Sequence, residues 1–160
     1  MEELCLNPIG TIHSPHSDPV GMPIQPGGAK DIIGSVDILS EYAEGLADLE
    51  GFSHLVLLYH FHLAKRTELK VVPFLDKEMR GVFATRSPLR PNHIGMSVVE
   101  LLEVNGNTLK VRGLDILDGS PLLDIKPFVD FFDNRETRNG WLTNRHDKVQ
   151  GKRSDTRFTR

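Results

Sequence analysis

The chain has 160 residues and a formal charge of −3, with 39% hydrophobic and 26% charged residues. This suits one compact domain of ordinary soluble composition, with or without a short appendage. No apolar run approaches the roughly 20 residues of a membrane helix, the start MEELCLNPIG lacks the basic-then-apolar order of a signal peptide, and a lone Cys5 excludes an intrachain disulfide or a zinc site built from several thiolates.

In chain order, Ile9 to His13 reads as a first strand that leaves through Ser14-Pro15. HSDPVGMPIQPGGAK, with three prolines and three glycines, is an irregular loop, and loops this long in compact domains often carry function. DIIGSVDIL alternates as a strand. SEYAEGLADLEGF places Tyr42, Leu46 and Leu49 at helical spacing, with Ser40 as N-cap and Gly51 as stop, so a short helix is expected. SHLVLLYHFHL is the strongest buried-strand signal; a charged segment broken by Pro73 follows, and GVFAT reads as a further strand. IGMSVVELLEV and NTLKVRGLDIL flank Asn105-Gly106, a hairpin signal because both residues tolerate positive φ. DGSPLLDIKPFVDFF adds a turn and a last strand. Six or seven short strands with one short helix predict a mostly β protein, an antiparallel β-barrel or sandwich.

Charge is uneven. Residues 135–160 hold 8 Lys and Arg against 3 Asp and Glu, a net +5, whereas residues 1–134 carry −8. The division predicted is a β domain over 1–134 and a basic C-terminal extension over 135–160. Such an extension fits either a solvated tail or a contact with a polyanion.

Four constellations could carry chemistry. His60 and His62 in HFH share a strand face by alternation and form a metal half-site of the kind cupins use. His54 shares that parity, but eight strand residues separate it from His62 by about 26 Å. His93 is the remaining candidate, and no motif supplies further ligands, so a hydrogen-bonding role competes with a metal. The second constellation is the elbow FATRSPLRPNHIGMSVVEL, where Pro88 and Pro91 stiffen a loop bearing Arg86 and Arg90. Fixed guanidinium groups suit capture of a carboxylate or phosphate, and equally suit pairing with acidic neighbours. Third, Asp115, Asp118 and Asp124 crowd an apolar stretch. Asp118 precedes Gly119 and fits a turn, whereas Asp115 stands between Leu114 and Ile116 and needs a partner. Fourth, PIQPGG lets the backbone approach a flat ligand, or is a plain loop. No G-x-G-x-x-G leads from a strand into a helix, so a Rossmann-type cofactor site is not expected.

GVFATRSPLRPNHIGMSVVEL followed by GLDILDGSPLLDIKPF resembles the central signature of the TrmO/TsaA-like (VirR-like) family, with QPG and GFSHLVLLYHFH in the expected order. The resemblance spans roughly Ile9 to Asp130. It implies a small TsaA-like β-barrel methyltransferase that uses S-adenosyl-L-methionine, is cytoplasmic and homodimeric, and has no membrane or DNA partner. It implies tRNA as substrate, with methylation at N6 of threonylcarbamoyladenosine at position 37. It assigns the donor to Pro23, Ile24, Gln25, His62, Leu63, Arg86, Met96, Asp115, Ile116, Leu117 and Asp118. Arg86 and Asp115 are the expected catalytic residues, and Arg90, Asn92 and Lys126 the expected substrate contacts. Longer bacterial members carry a further C-terminal domain where this sequence has its basic extension; either the extension takes over tRNA docking, or the substrate differs.

Overall fold

The computed structural model describes residues 2–159. Six strands close into an antiparallel barrel: β1 (Gly10–His13), β2 (Ile33–Ile38), β3 (His54–His60), β6 (Ile94–Asn105), β7 (Thr108–Arg112) and β8 (Ser120–Pro127), in the order β1-β2-β7-β6-β3-β8. The remaining strands, β4 (Lys70–Val71) and β5 (Arg80–Gly81), form a separate two-stranded ribbon. Closure leaves the barrel strands no unpaired edge, as the predicted mostly β barrel requires.

The core follows from alternation. Leu55, Leu57 and Tyr59 of β3 point inward with Val36, Val99, Leu109, Val111 and Leu122 from neighbouring strands. The β6–β7 ladder closes at Asn105 and Thr108, so the two-residue turn is Gly106-Asn107, one place beyond the expected Asn105-Gly106. Gly106 there takes φ +60°, which glycine adopts without a Cβ clash.

Three expected elements differ. Residues 40–51 form 3-10 turns, Ser40–Leu46 and Leu49–Gly51, with no side-chain cap bond at the N-terminus of the first; the chain extends at Ala47 and turns left-handed at Asp48. GVFAT is not a strand: after β5, Val82–Ala84 is a 3-10 turn, because Thr85 returns both its N–H and its hydroxyl to the Val82 carbonyl. The strand expected through Leu117 stops at Arg112, where Gly113 takes φ +94° and turns the chain out of the ladder.

The pairing His60↔Ile94, Ile33↔Arg112 and Ile12↔Ser120 puts the ends of β1, β3 and β7 at one barrel mouth. Three long connections, residues 14–32, 61–93 and 113–119, therefore gather there. A satellite core of Val71, Val82 and Leu89, with Phe158 packed on it, steadies the second of them. After β8 comes the helical turn α1 (Asp130–Asp133). The basic extension is not a solvated tail. Ser154 exchanges backbone bonds with Gly21 and Met22, and Arg153 bridges to Pro23. Arg160, the last residue of the expected extension, lies outside the described residues. No helix among the described residues is long and apolar enough to cross a membrane.

Candidate active site

The mouth holds a cavity of about 880 Å3, lined by residues of all three connections and of the C-terminal segment. That volume lies within the range of small-molecule sites.

Asp115 is its chemical centre. Once Gly113 has broken the ladder, Leu114 to Leu117 run irregularly across the mouth. Ser14 donates its hydroxyl to the Ile116 carbonyl at 2.6 Å, and His16 Nε2 lies 2.9 Å from the Leu114 carbonyl. The segment is thus held from outside while Asp115 faces in. Ser97, directed inward from β6, donates to Asp115 Oδ1 at 2.6 Å. Burial raises the Asp115 carboxyl to about 6, although the Ser97 hydrogen bond, its own backbone N–H and the Arg86 charge all pull it down. Burial, and then the Asp115 charge, raise the Tyr59 phenol above its ordinary value. Gly95, paired with Tyr59, has no room for a Cβ, because the rings of Tyr59 and Phe61 occupy that space.

Arg86 is exposed on the elbow, and its Nη1 donates to Gln25 Oε1 at 3.0 Å. This bond joins two stretches 61 residues apart that the sequence had marked separately. Arg90 also lines the cavity, but it donates Nη1 to the Thr85 carbonyl at 3.1 Å and so braces the backbone beside Arg86. Asn92 and His93 take left-handed φ of 65° and 50° and swing the elbow into β6.

Of the other expected donor residues, Pro23, Ile24, His62, Leu63, Met96, Ile116 and Leu117 line the cavity. Asp118 is not among the lining residues: its Oδ1 accepts the Ser14 N–H, and its own N–H bonds His16, as a turn residue would. Of the expected substrate contacts, Asn92 is exposed away from the lining, and Lys126 pairs with Asp124 at 2.7 Å on β8.

The His-x-His metal half-site does not form. The strand ends at His60, so His62 escapes the alternation. The His60 ring stands edge-on to His93, whereas His62 Nδ1 lies 3.4 Å from Ser120 Oγ. Burial, then His93 and His62, lower the His60 pKa. Among the described residues no group of three His, Cys, Asp or Glu could hold a metal ion.

Sequence reasoning missed Ser97, Tyr59 and the whole C-terminal wall. Ser97 had a signal: it is the polar residue on an inward strand face otherwise made of Gly95, Val99 and Leu101. The wall had none, because its lining residues come from a segment without periodicity.

This geometry can be set against known proteins. A family model described as tRNA-methyltransferase O N-terminal domain matches residues 11–134. The chain belongs to that family. A Pyrococcus abyssi relative named "probable S-adenosyl-L-methionine-binding protein" is 54% identical over 156 residues, covering 97% of this chain and 85% of its own. That alignment necessarily enters the C-terminal segment beyond the family match. The Escherichia coli tRNA (adenine(37)-N6)-methyltransferase is 42% identical over 133 residues, 77% of this chain but 57% of that protein. The crystal structure of TrmO from Pseudomonas aeruginosa superposes with a TM-score of 0.74 at 38% identity, covering 88% of this chain and 62% of that one. The chain therefore spans less than two thirds of these two longer family members.

Proposed function

We propose that this protein is an S-adenosyl-L-methionine-dependent tRNA methyltransferase, methylating N6 of threonylcarbamoyladenosine at position 37, and that it works as a cytoplasmic homodimer. The observation that carries this reading is the convergence of Gln25, Arg86 and Asp115 on one cavity in a chain of this family.

The cavity suits the donor. Ile24, Leu63, Met96 and Leu117 offer apolar surface for an adenine ring and a thioether chain, and the Gln25–Arg86 pair offers N–H groups to a carboxylate. Asp115 lines the same cavity, where it either holds the donor's ribose or ammonium or takes the acceptor's proton. When bound, S-adenosyl-L-methionine supplies an electrophilic methyl group. The residues of this chain then align the acceptor and keep water away. An N6 conjugated to a carbonyl is a poor nucleophile until its proton leaves. In the second role Asp115, with a carboxyl near 6, is ionised at neutral pH and serves as general base while N6 attacks the methyl group. Arg86 stabilises the resulting charge, and the remaining N–H groups of Arg90 meet the acceptor's carboxylate or a phosphate.

Mass spectrometry of tRNA nucleosides from a strain lacking the protein tests the reading. The N6-methylated nucleoside should disappear and its unmethylated precursor accumulate; an unchanged nucleoside profile would refute the assignment. A barrel that only binds RNA would show salt-dependent RNA affinity and no affinity for the donor. Light scattering of the purified chain tests the dimer.

A further inference from the structure

The C-terminal segment makes three separate attachments at the mouth. Ser154 donates its hydroxyl to the Pro19 carbonyl at 2.6 Å and accepts the Met22 N–H at 2.8 Å, just before Pro23 to Gln25. Arg157 donates to the Pro73 carbonyl at 2.7 Å and lies over the Phe74 ring, while Phe158 packs 4.7 Å from the same ring. The third attachment is Trp141, which donates its indole N–H to the Ala84 carbonyl at 2.7 Å. Arg80 and Arg145 lie 5.8 and 5.6 Å from the Trp141 ring centroid, and both pair with the enclosed Asp76 carboxylate. Ala84 is two residues before Arg86, in the 3-10 turn that sets where the guanidinium emerges.

We infer that the segment from Arg135 to Thr159 is a working wall of the ligand cavity, and that Trp141 is a positioning residue for Arg86. The segment joins the loop that carries Gln25 to the elbow that carries Arg86, so it fixes the separation of two groups that must meet one ligand. A free tail would leave the Gln25–Arg86 hydrogen bond, which is exposed to water, as the one hydrogen bond directly joining the two connections among the described residues. Trp141 lines the cavity as well, so a ligand there alters its surroundings. The inference deepens the proposed function and rests on it for the identity of the ligand.

Trp141 is the chain's one tryptophan, so the intact protein reports on itself. Titration with S-adenosyl-L-methionine should shift its fluorescence with the midpoint that calorimetry gives. Trp141→Phe, which keeps an aromatic ring but loses the N–H donor, should weaken calorimetric donor affinity about fivefold, the scale of one neutral hydrogen bond, with an unchanged far-ultraviolet circular dichroism spectrum. Calorimetric binding with unmoved Trp141 fluorescence and full affinity in Trp141→Phe would overturn the inference and leave the donor reading intact. Absence of any calorimetric binding by the wild-type chain would overturn the donor reading and the inference with it.

Discussion

Asp115 is a carboxylate whose ionised form the fold opposes. Its folded-state carboxyl sits near 6, above the ordinary 3.8. Between those two values the folded chain keeps a proton that the unfolded chain has lost, so stability falls as pH rises through this window and stays lower above it. Asp115→Asn should therefore be more stable than wild type at pH 7.5, by on the order of 1–3 kcal/mol, with the difference vanishing below pH 4. Denaturation at the two pH values measures this. The same variant should lose methylation by 100-fold or more, on the scale of general-base contributions. Weakening the fold while serving a site is the pattern that the proposed role of Asp115 predicts. Arg86 and Asp115 could be picked out from the sequence because a charge inside a rigid loop or an apolar run stands out. Ser97 and Tyr59 could not be assigned, because a hydroxyl within a strand shows its partner only once the strands are paired.

At the scale of elements, the barrel was legible from alternation and turn residues, whereas the segments that build the site were not. GLDIL reads as a strand from its apolar residues, yet the left-handed backbone of Gly113 ends the ladder and frees Asp115. Periodicity says nothing about backbone conformation, and a glycine in a strand pattern signals a break only in hindsight. Gly113→Ala meets no neighbour within 4 Å, so its cost is conformational, about 1–2 kcal/mol. It should lower the thermal midpoint modestly and reduce donor affinity more than an equally destabilising core change away from the cavity, such as Ile38→Val on β2. Equal effects on affinity would show that this turn does not set the position of Asp115. GVFAT was likewise read as a strand, because the bond that folds it, Thr85 to Val82, is a local side-chain competition with the ladder.

For the whole molecule, composition revealed a basic extension but not its use. Arg145 and Arg157 are drawn inward, toward Asp76 and the carbonyls near Pro73. Arg135, Arg138, Lys148, Lys152 and Arg153 form no ion pair among the described residues, and these are the cations we propose for contact with a polyanion. In this proposal their positive charge and the cavity wall belong to one segment. Burial opposes the Asp76 charge, but hydrogen bonds from Arg80 and Arg145 and from the Lys77 and Glu78 backbones outweigh it, and its carboxyl is held well below the usual range. That contribution is present above the ordinary carboxylate pKa and is lost only as pH falls through the lowered value, so the segment should stay docked in mild acid. Asp76→Asn removes the charge from between two arginines and should speed proteolytic cleavage within residues 135–159 roughly tenfold, leaving the barrel intact on a gel. The most direct test of the central claim is transfer of a trideuteromethyl group from labelled S-adenosyl-L-methionine to threonylcarbamoylated tRNA by the purified chain, read by nucleoside mass spectrometry. Wild type should place label on the N6-methylated position-37 nucleoside, and Arg86→Ala at least 100-fold less. No label with wild type, or equal label with both proteins, would contradict that claim.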